Sequence, residues 1–204
     1  MTISPRTPWG RQVERPEQLD VIHGDHELAT ALARRPPGAI GVGSGDLART
    51  LGVTSSEIRP LVNELPIDLL EVRLDDATAP VVACAHVVAR SPWARGGAWR
   101  GRLVAVMNAE FIGAWDVAPR GHPNDGRAEV FDVDPSMSPR QRFFARRRLR
   151  TATHVPHPLI STRSIRSARW DFPRPVEVIV DGRRVGRCAT LHVDVLADAA
   201  IVHA

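Results

Sequence analysis

The chain has 204 residues, 43% of them apolar, and a formal net charge of +4. This suits one large domain, or a domain with a smaller lobe, and no run approaches the roughly 18 apolar residues of a membrane span. All 27 basic residues are Arg, with no Lys and no Tyr, which excludes a Walker-type phosphate lysine, Schiff-base chemistry and a tyrosine acid or nucleophile.

Residues 1–20 carry Pro5, Pro8 and Pro16 and predict an irregular arm. No apolar leader core follows Met1, so the expected location is cytoplasmic. Val21-Ile22 closes a short strand. Asp25 is placed to cap a helix starting at His26, with Leu28, Ala31 and Leu32 on one side and Pro36-Pro37-Gly38 as its stop. Residues 39–42 predict a strand, Gly43-Ser44-Gly45 the turn after it, and residues 46–51 a helix closed by Gly52. Thr54-Ser55-Ser56-Glu57 has a capping-box pattern for a helix ending near Asn63.

Beyond about Leu65 this α/β rhythm gives way to short strands over 67–74, 81–89, 102–108, 128–133, 165–170, 176–180, 184–189, 191–196 and 200–202. Gly, Pro and Asp turns separate them. One helix is expected over 138–151, anchored by Phe143, Phe144 and Leu149 with its arginines outward. Asp181-Gly182 is a strong hairpin signal, because the pair accepts positive backbone angles. The expected class is α+β, with a small α/β portion over 1–65 and a β-sandwich over 66–204. Cys84 and Cys188 are too few for a disulfide or zinc framework. Cys84 and His86 alternate onto one strand face as core filling. His154 and His157 have ligand-like spacing without companions, so no metal site is expected.

The stretch Gly43-Ser44-Gly45-Asp46-Leu47-Ala48-Arg49-Thr50-Leu51-Gly52 resembles the substrate-side loop of the diacylglycerol kinase family of lipid kinases. That pattern reads Gly-Thr-Gly-Asn-Asp-Phe-Ala-Arg before Leu-Gly. Further pieces follow in the family's order: residues 104–113, Val117-Ala118-Pro119, Asn124-Asp125-Gly126, the arginine-rich stretch 138–150, and Val180-Asp181-Gly182 against Leu-Asp-Gly-Glu. The resemblance implies that residues 1–65 are a reduced remnant of the nucleotide domain, since residues 1–22 hold no counterpart of the adenine and ribose strands. It also implies that 66–204 is the family's β-sandwich. Asp181 would then be the candidate base accepting a lipid hydroxyl proton. Asp25, Gly43, Ser44, Gly45 and Asp46 would contact phosphate or lipid.

The departures carry the functional reading. His23-Gly24-Asp25-His26-Glu27 stands against the family's Gly-Gly-Asp-Gly-Thr, so glycines that let backbone approach phosphate are replaced and Glu27 adds a negative charge. Asp46 stands for Asn-Asp, and Arg183 replaces Glu. The leading expectation is a degenerate, non-catalytic relative binding a lipid or an anionic membrane surface through Arg146, Arg147 and Arg148, as a homodimer. The alternative is an active ATP-dependent kinase of a lipid hydroxyl, using ATP and Mg with its nucleotide site completed by a partner. For Asp181 and Asp25 the simpler roles are a hairpin turn and a helix cap. Nucleic acid is not expected as a partner, because no recognised module or aromatic platform appears.

Overall fold

Glycines and β-branched residues alternate with short helices at the start of the chain, and this builds a small parallel unit. The computed structural model describes residues 9–34, 37–53, 59–75, 77 and 79–204. Strands β2 (Leu19–His23) and β3 (Ala39–Ser44) run parallel, joined through helix α1 (Asp25–Ala33). Helix α2 (Asp46–Thr50) follows at once. Leu28, Ala29 and Leu32 of α1 and Leu47 and Ala48 of α2 are buried against Ile40, Val42, Ile67 and Val202. Each fully buried Leu contributes about 2 kcal/mol.

The rest of the chain is antiparallel. The strands are β4 (Leu61–Leu74), β5 (Val81–Ala83), β6 (His86–Arg90), β7 (Leu103–Met107), β10 (Ala128–Val133), β11 (Ile160–Ile165), β12 (Ser167–Val180) and β13 (Arg183–His203). With β1 (Arg11–Glu14), β2 and β3 they make, among the described residues, one eleven-stranded sheet. Its main path is β1-β4-β13-β12-β6-β7-β10-β11. A separate hairpin pairs β8 (Phe111–Ile112) with β9 (Trp115–Asp116). This mixture of a large antiparallel sheet with a few helices agrees with the expected α+β class. The valine-rich faces of β6, β7, β10, β12 and β13 form a second core around Val87, Val106, Val130, Val178 and Val193. Strands β4 and β13 run through both cores, so Ile67 and Val202 join the first while Val72 and Val193 join the second.

Several expectations need correcting. Residues 1–8 of the expected arm lie outside the described residues, but Arg11–Glu14 pair with β4 rather than remaining irregular. Residues 54–58 of the expected helix also lie outside, and residues 61–63 belong to β4. The expected strand 81–89 is broken at Cys84-Ala85, where the backbone leaves the ladder to bond a side chain. The four strands expected over 176–202 belong to two long ones. Residues 172–175, with Pro173 and Pro175, and residues 197–199 are register shifts within β12 and the β13–β4 pairing, not strand ends.

Helix α3 (Pro139–Arg148) starts at a full capping box, in which Ser138 accepts from the Gln141 backbone and Gln141 from that of Ser138. Its anchoring departs from the expectation at the two phenylalanines, whereas Leu149 packs against the core as expected. Phe143 and Phe144 are 50% and 47% exposed, whereas Arg142 is buried. Arg142 donates through Nε to Met137 O (3.0 Å), through Nη1 to Ala98 O (2.9 Å), and through Nη2 to Gly101 O and Asp134 O (3.1 Å). A guanidinium can serve four carbonyls at once, and a phenyl ring can serve none.

Candidate functional site

Asp25, Asp46 and Asp181, far apart in sequence, converge where α1, α2 and the β12–β13 hairpin meet. Asp25 is the first residue of α1, yet it does not cap that helix. Gly24 is the N-cap with positive φ and no side-chain bond. The Asp25 carboxylate accepts instead from the backbone of α2, from Asp46 N at 2.6 Å and Leu47 N at 3.0 Å. Gly45 makes this approach possible: its φ is +130°, and a Cβ there would lie 2.4 Å from Asp25 Oδ1. Gly43 similarly leaves room for the His23 ring, which lies 3.3 Å from Ser44 Oγ through Nδ1.

Asp46 is a hub. Its Oδ1 accepts from Gly113 N at 2.7 Å, and its Oδ2 pairs with His86 Nε2 at 3.0 Å. Arg49 donates to Gly113 O at 2.7 Å and lies over the Phe111 ring, which ties α2 to the β8–β9 hairpin. Asp181 and Gly182 both have positive φ, as a two-residue hairpin turn requires. The Asp181 carboxylate also reaches across to the break between β5 and β6. It accepts from Cys84 N (2.9 Å), Ala85 N (3.0 Å) and His86 N (2.9 Å). All six carboxylate oxygens of the triad therefore have donors within the protein. The Cys84 thiol, pushed well up by burial and then by Asp181 and Asp25, donates to Asp25 O at 3.2 Å.

His86, read from sequence as core filling, instead joins Asp46 to a cavity. Burial opposes its charge, but the bond to Asp46 and the fields of Asp181, Asp46 and Asp25 outweigh it, so its pKa is raised. Burial likewise raises that of Asp25, its two backbone bonds offset this in part, and Asp181 and Asp46 raise it further. A raised imidazole pKa in the folded state stabilises most below the ordinary value of 6.5 and less as pH climbs through the folded value. Wild type should therefore exceed His86→Gln in stability most at mildly acidic pH, with the gap narrowing above about 6.5. Urea denaturation at a series of pH values checks this; a gap widening with pH would refute it.

A cavity of about 340 Å³ opens beside this cluster. Its floor is a row across four strands, Ile179 of β12, Val88 of β6, Ala105 of β7 and Phe131 of β10, which are successive register partners. Ile112 and Trp115 of the small hairpin and Leu149 after α3 close it, with His86 and Gly182 at the triad end. Arg146 lies over the rings of Trp99 and Trp115. Arg147 and Arg148 are exposed on the same helix. Glu27 and Arg183, two departures from the lipid-kinase pattern, face each other at 3.9 Å. Among the described residues no cluster of His, Cys, Asp and Glu suits a metal ion.

The arrangement of α/β start, long return strand and Asp-Gly hairpin can be compared with solved structures. One from Bacillus anthracis str. Sterne, named a "putative diacylglycerol kinase", aligns over 90% of this chain and 76% of its own, with a TM-score of 0.64 and 17% identity. The chain shares a lipid-kinase-like fold. A second structure from that organism, named a diacylglycerol kinase, aligns over 90% of this chain and 75% of its own at a TM-score of 0.58 and 16% identity. No family model and no curated protein sequence matches the chain. Within the lipid-kinase-like fold, then, Asp25, Asp46 and Asp181 cluster, while Arg146, Arg147 and Arg148 stand at the cavity rim and beyond. Sequence reasoning missed His86 and the buried role of Arg142. Alternation within one strand suggested only that His86 was buried, and nothing local pointed to Asp46.

Proposed function

We propose that this lipid-kinase-like protein binds an amphiphile at an anionic surface without phosphorylating it. The observation that carries the reading is the occupancy of the triad. Asp25 takes both backbone donors at the start of α2, and Asp181 takes three backbone donors. In this reading Gly43, Ser44, Gly45 and Asp46 shape the loop around the Asp25 carboxylate rather than around phosphate. Residues up to 65 are a reduced nucleotide lobe, and 66–204 a sandwich lobe sharing β4 and β13 with it. The cavity receives the apolar chain.

Trp93 is 67% exposed, and Phe143 and Phe144 have about half their surface in solvent. Residues 139–151 contain six Arg and no acid. Amphipathic rings and arginines suit a bilayer interface, at about 1 kcal/mol per basic residue near an anionic surface. Val21, Leu61 and Ile201 are exposed on β2, β4 and β13, and a second copy would cover such residues. No helix among the described residues is long and apolar enough to cross a membrane.

The second reading, an ATP- and Mg-dependent kinase completed by a partner, is favoured by the Asp46–His86 pair. In the tautomer that donates Nε2–H to Asp46, Nδ1 keeps an unpaired lone pair, as a general base requires, although that nitrogen is buried. Flotation with vesicles of mixed neutral and anionic phospholipid separates the readings, together with ATP titration in magnesium. The protein should float, and the triple change of Arg146, Arg147 and Arg148 to Ala should reduce flotation at least fivefold without saturable ATP binding in either form. Absent flotation would remove the surface reading; saturable ATP binding would favour the kinase.

A further inference from the structure

A second cavity, of about 690 Å³, opens at the C-terminal end of β10, and none of its lining residues belongs to the aspartate cluster or to the cavity beside it. One wall is a bulge in β12. Asp171 pairs with Thr190 and Val176 with Cys188, so residues 172–175 stand against Ala189 alone. The bulge reads Phe172-Pro173-Arg174-Pro175. Each proline fixes its own φ and holds the residue before it extended, so the Arg174 backbone is rigid. Bulges of this kind re-aim side chains beside functional sites. Arg174 lines the cavity, is exposed, and has no side-chain partner among the described residues. Arg95 reaches the same bulge, donating through Nη2 to Pro175 O, and no carboxylate among the described residues pairs with it. The other charges are already engaged. Arg102 holds Asp132 bidentately, at 2.9 and 2.5 Å. Asp134 Oδ1 accepts from the N–H and the hydroxyl of Ser136. Behind the wall, Arg142 donates to the carbonyls of Gly101 and Asp134, both of which line the cavity.

We propose that this cavity binds the dianion of a phosphomonoester, with Arg95 and Arg174 on the phosphate and Phe172, Pro158 and Pro173 against the organic group it carries. The inference is independent of the amphiphile-binding reading and of the aspartate cluster. Three lining arginines and Arg142 behind them outnumber Asp132 and Asp134 by two charges, and a phosphate dianion matches that excess. A sulfonate or a carboxylate carries one charge and gains less. Guanidinium forks grip phosphate oxygens two at a time. Ser91 and Ser161 also line the cavity, and their hydroxyls have no partner among the described residues. They supply donors for the remaining oxygens. The volume falls within the range of small-molecule sites.

Isothermal titration calorimetry tests this with phenyl phosphate, a dianion at about pH 8 because its second pKa is about 6, and with benzenesulfonate, a monoanion of similar shape. Wild type should bind phenyl phosphate at a single site, about tenfold more tightly than benzenesulfonate. Arg174→Gln, at an exposed position, should lose about tenfold for phenyl phosphate and melt at an unchanged temperature. Arg174→Lys should recover part of that loss. The triple change of Arg146, Arg147 and Arg148 to Ala, outside this cavity, should bind phenyl phosphate as wild type does. Flotation on neutral vesicles with and without phosphatidic acid identifies the source of the phosphate. Preference for phosphatidic acid, lost in Arg174→Gln, assigns a lipid head group; phenyl phosphate binding without that preference assigns a soluble ester. The inference is overturned if wild type neither binds phenyl phosphate saturably nor prefers phosphatidic acid. Equal binding of benzenesulfonate, undiminished binding by Arg174→Gln, or loss of binding in the triple variant would each overturn it as well.

Discussion

Asp181→Ala should lower folding stability by about 4 kcal/mol. Three backbone N–H groups, of Cys84, Ala85 and His86, are served by this one carboxylate. Each buried orphaned donor costs about 1–3 kcal/mol. Alanine also fits poorly at the φ of 47° that the hairpin imposes. For a chain of this size the loss corresponds to a fall of roughly 8–16 °C in melting temperature. Two further substitutions separate the turn from the clamp. Asp181→Gly supplies the backbone angle but no acceptor, so it should still lose about 3 kcal/mol; a turn-only role predicts no loss. Asp181→Asn keeps one acceptor oxygen and tolerates the angle, and should lose about half as much as Ala. Urea denaturation reads all three. The same Asn variant addresses the kinase reading: if turnover exists and survives in it, Asp181 is not the base.

Arg142→Leu should cost about 3–5 kcal/mol, although it exchanges a charged residue for an apolar one of fair helix propensity. Hydrogen bonds from a charged donor contribute about 1.5–3 kcal/mol each. Four carbonyls, at Ala98, Gly101, Asp134 and Met137, depend on this guanidinium. Burial lowers its pKa, with Asp134 opposing, so the charge is held there against a desolvation cost. Arg142→Lys keeps the charge but replaces a planar fork with a single ammonium, and should recover less than half of the loss. Because Ala145, Arg146 and Leu149 line the cavity with Arg142, releasing α3 should also weaken amphiphile binding. By contrast, Phe143→Ser and Phe144→Ser should leave thermal stability within about 0.5 kcal/mol, as expected of exposed positions. Large losses there, with a small one at Arg142, would restore the phenyl anchors expected from sequence.

The lipid-kinase resemblance was legible because it rests on local turn chemistry. Gly43-Ser44-Gly45 before a short helix, and Asp181-Gly182 between alternating strands, need particular backbone angles, and such needs are written in neighbouring residues. The Asp181–Gly182 hairpin, α2 and α3 therefore appear close to where their sequences place them. Long strands were less legible. Pro173 and Pro175 look like strand ends, yet β12 continues past them because a register shift absorbs the missing donors.

Sequence by itself determined the α+β composition, the hairpin at Asp181, the helix at Ser138 and the pairing of a glycine turn with Asp46. Only tertiary structure decided which donors each carboxylate meets. Asp25 serves α2 rather than its own helix, Asp181 serves backbone more than 90 residues away, and His86 joins Asp46 to the cavity. It also decided that β13 returns to the first core, where Val202 packs with Leu28. The physical reason is range. Turn and capping preferences act over a few residues, whereas burial and hydrogen bonding are settled by whichever groups the folded chain brings together.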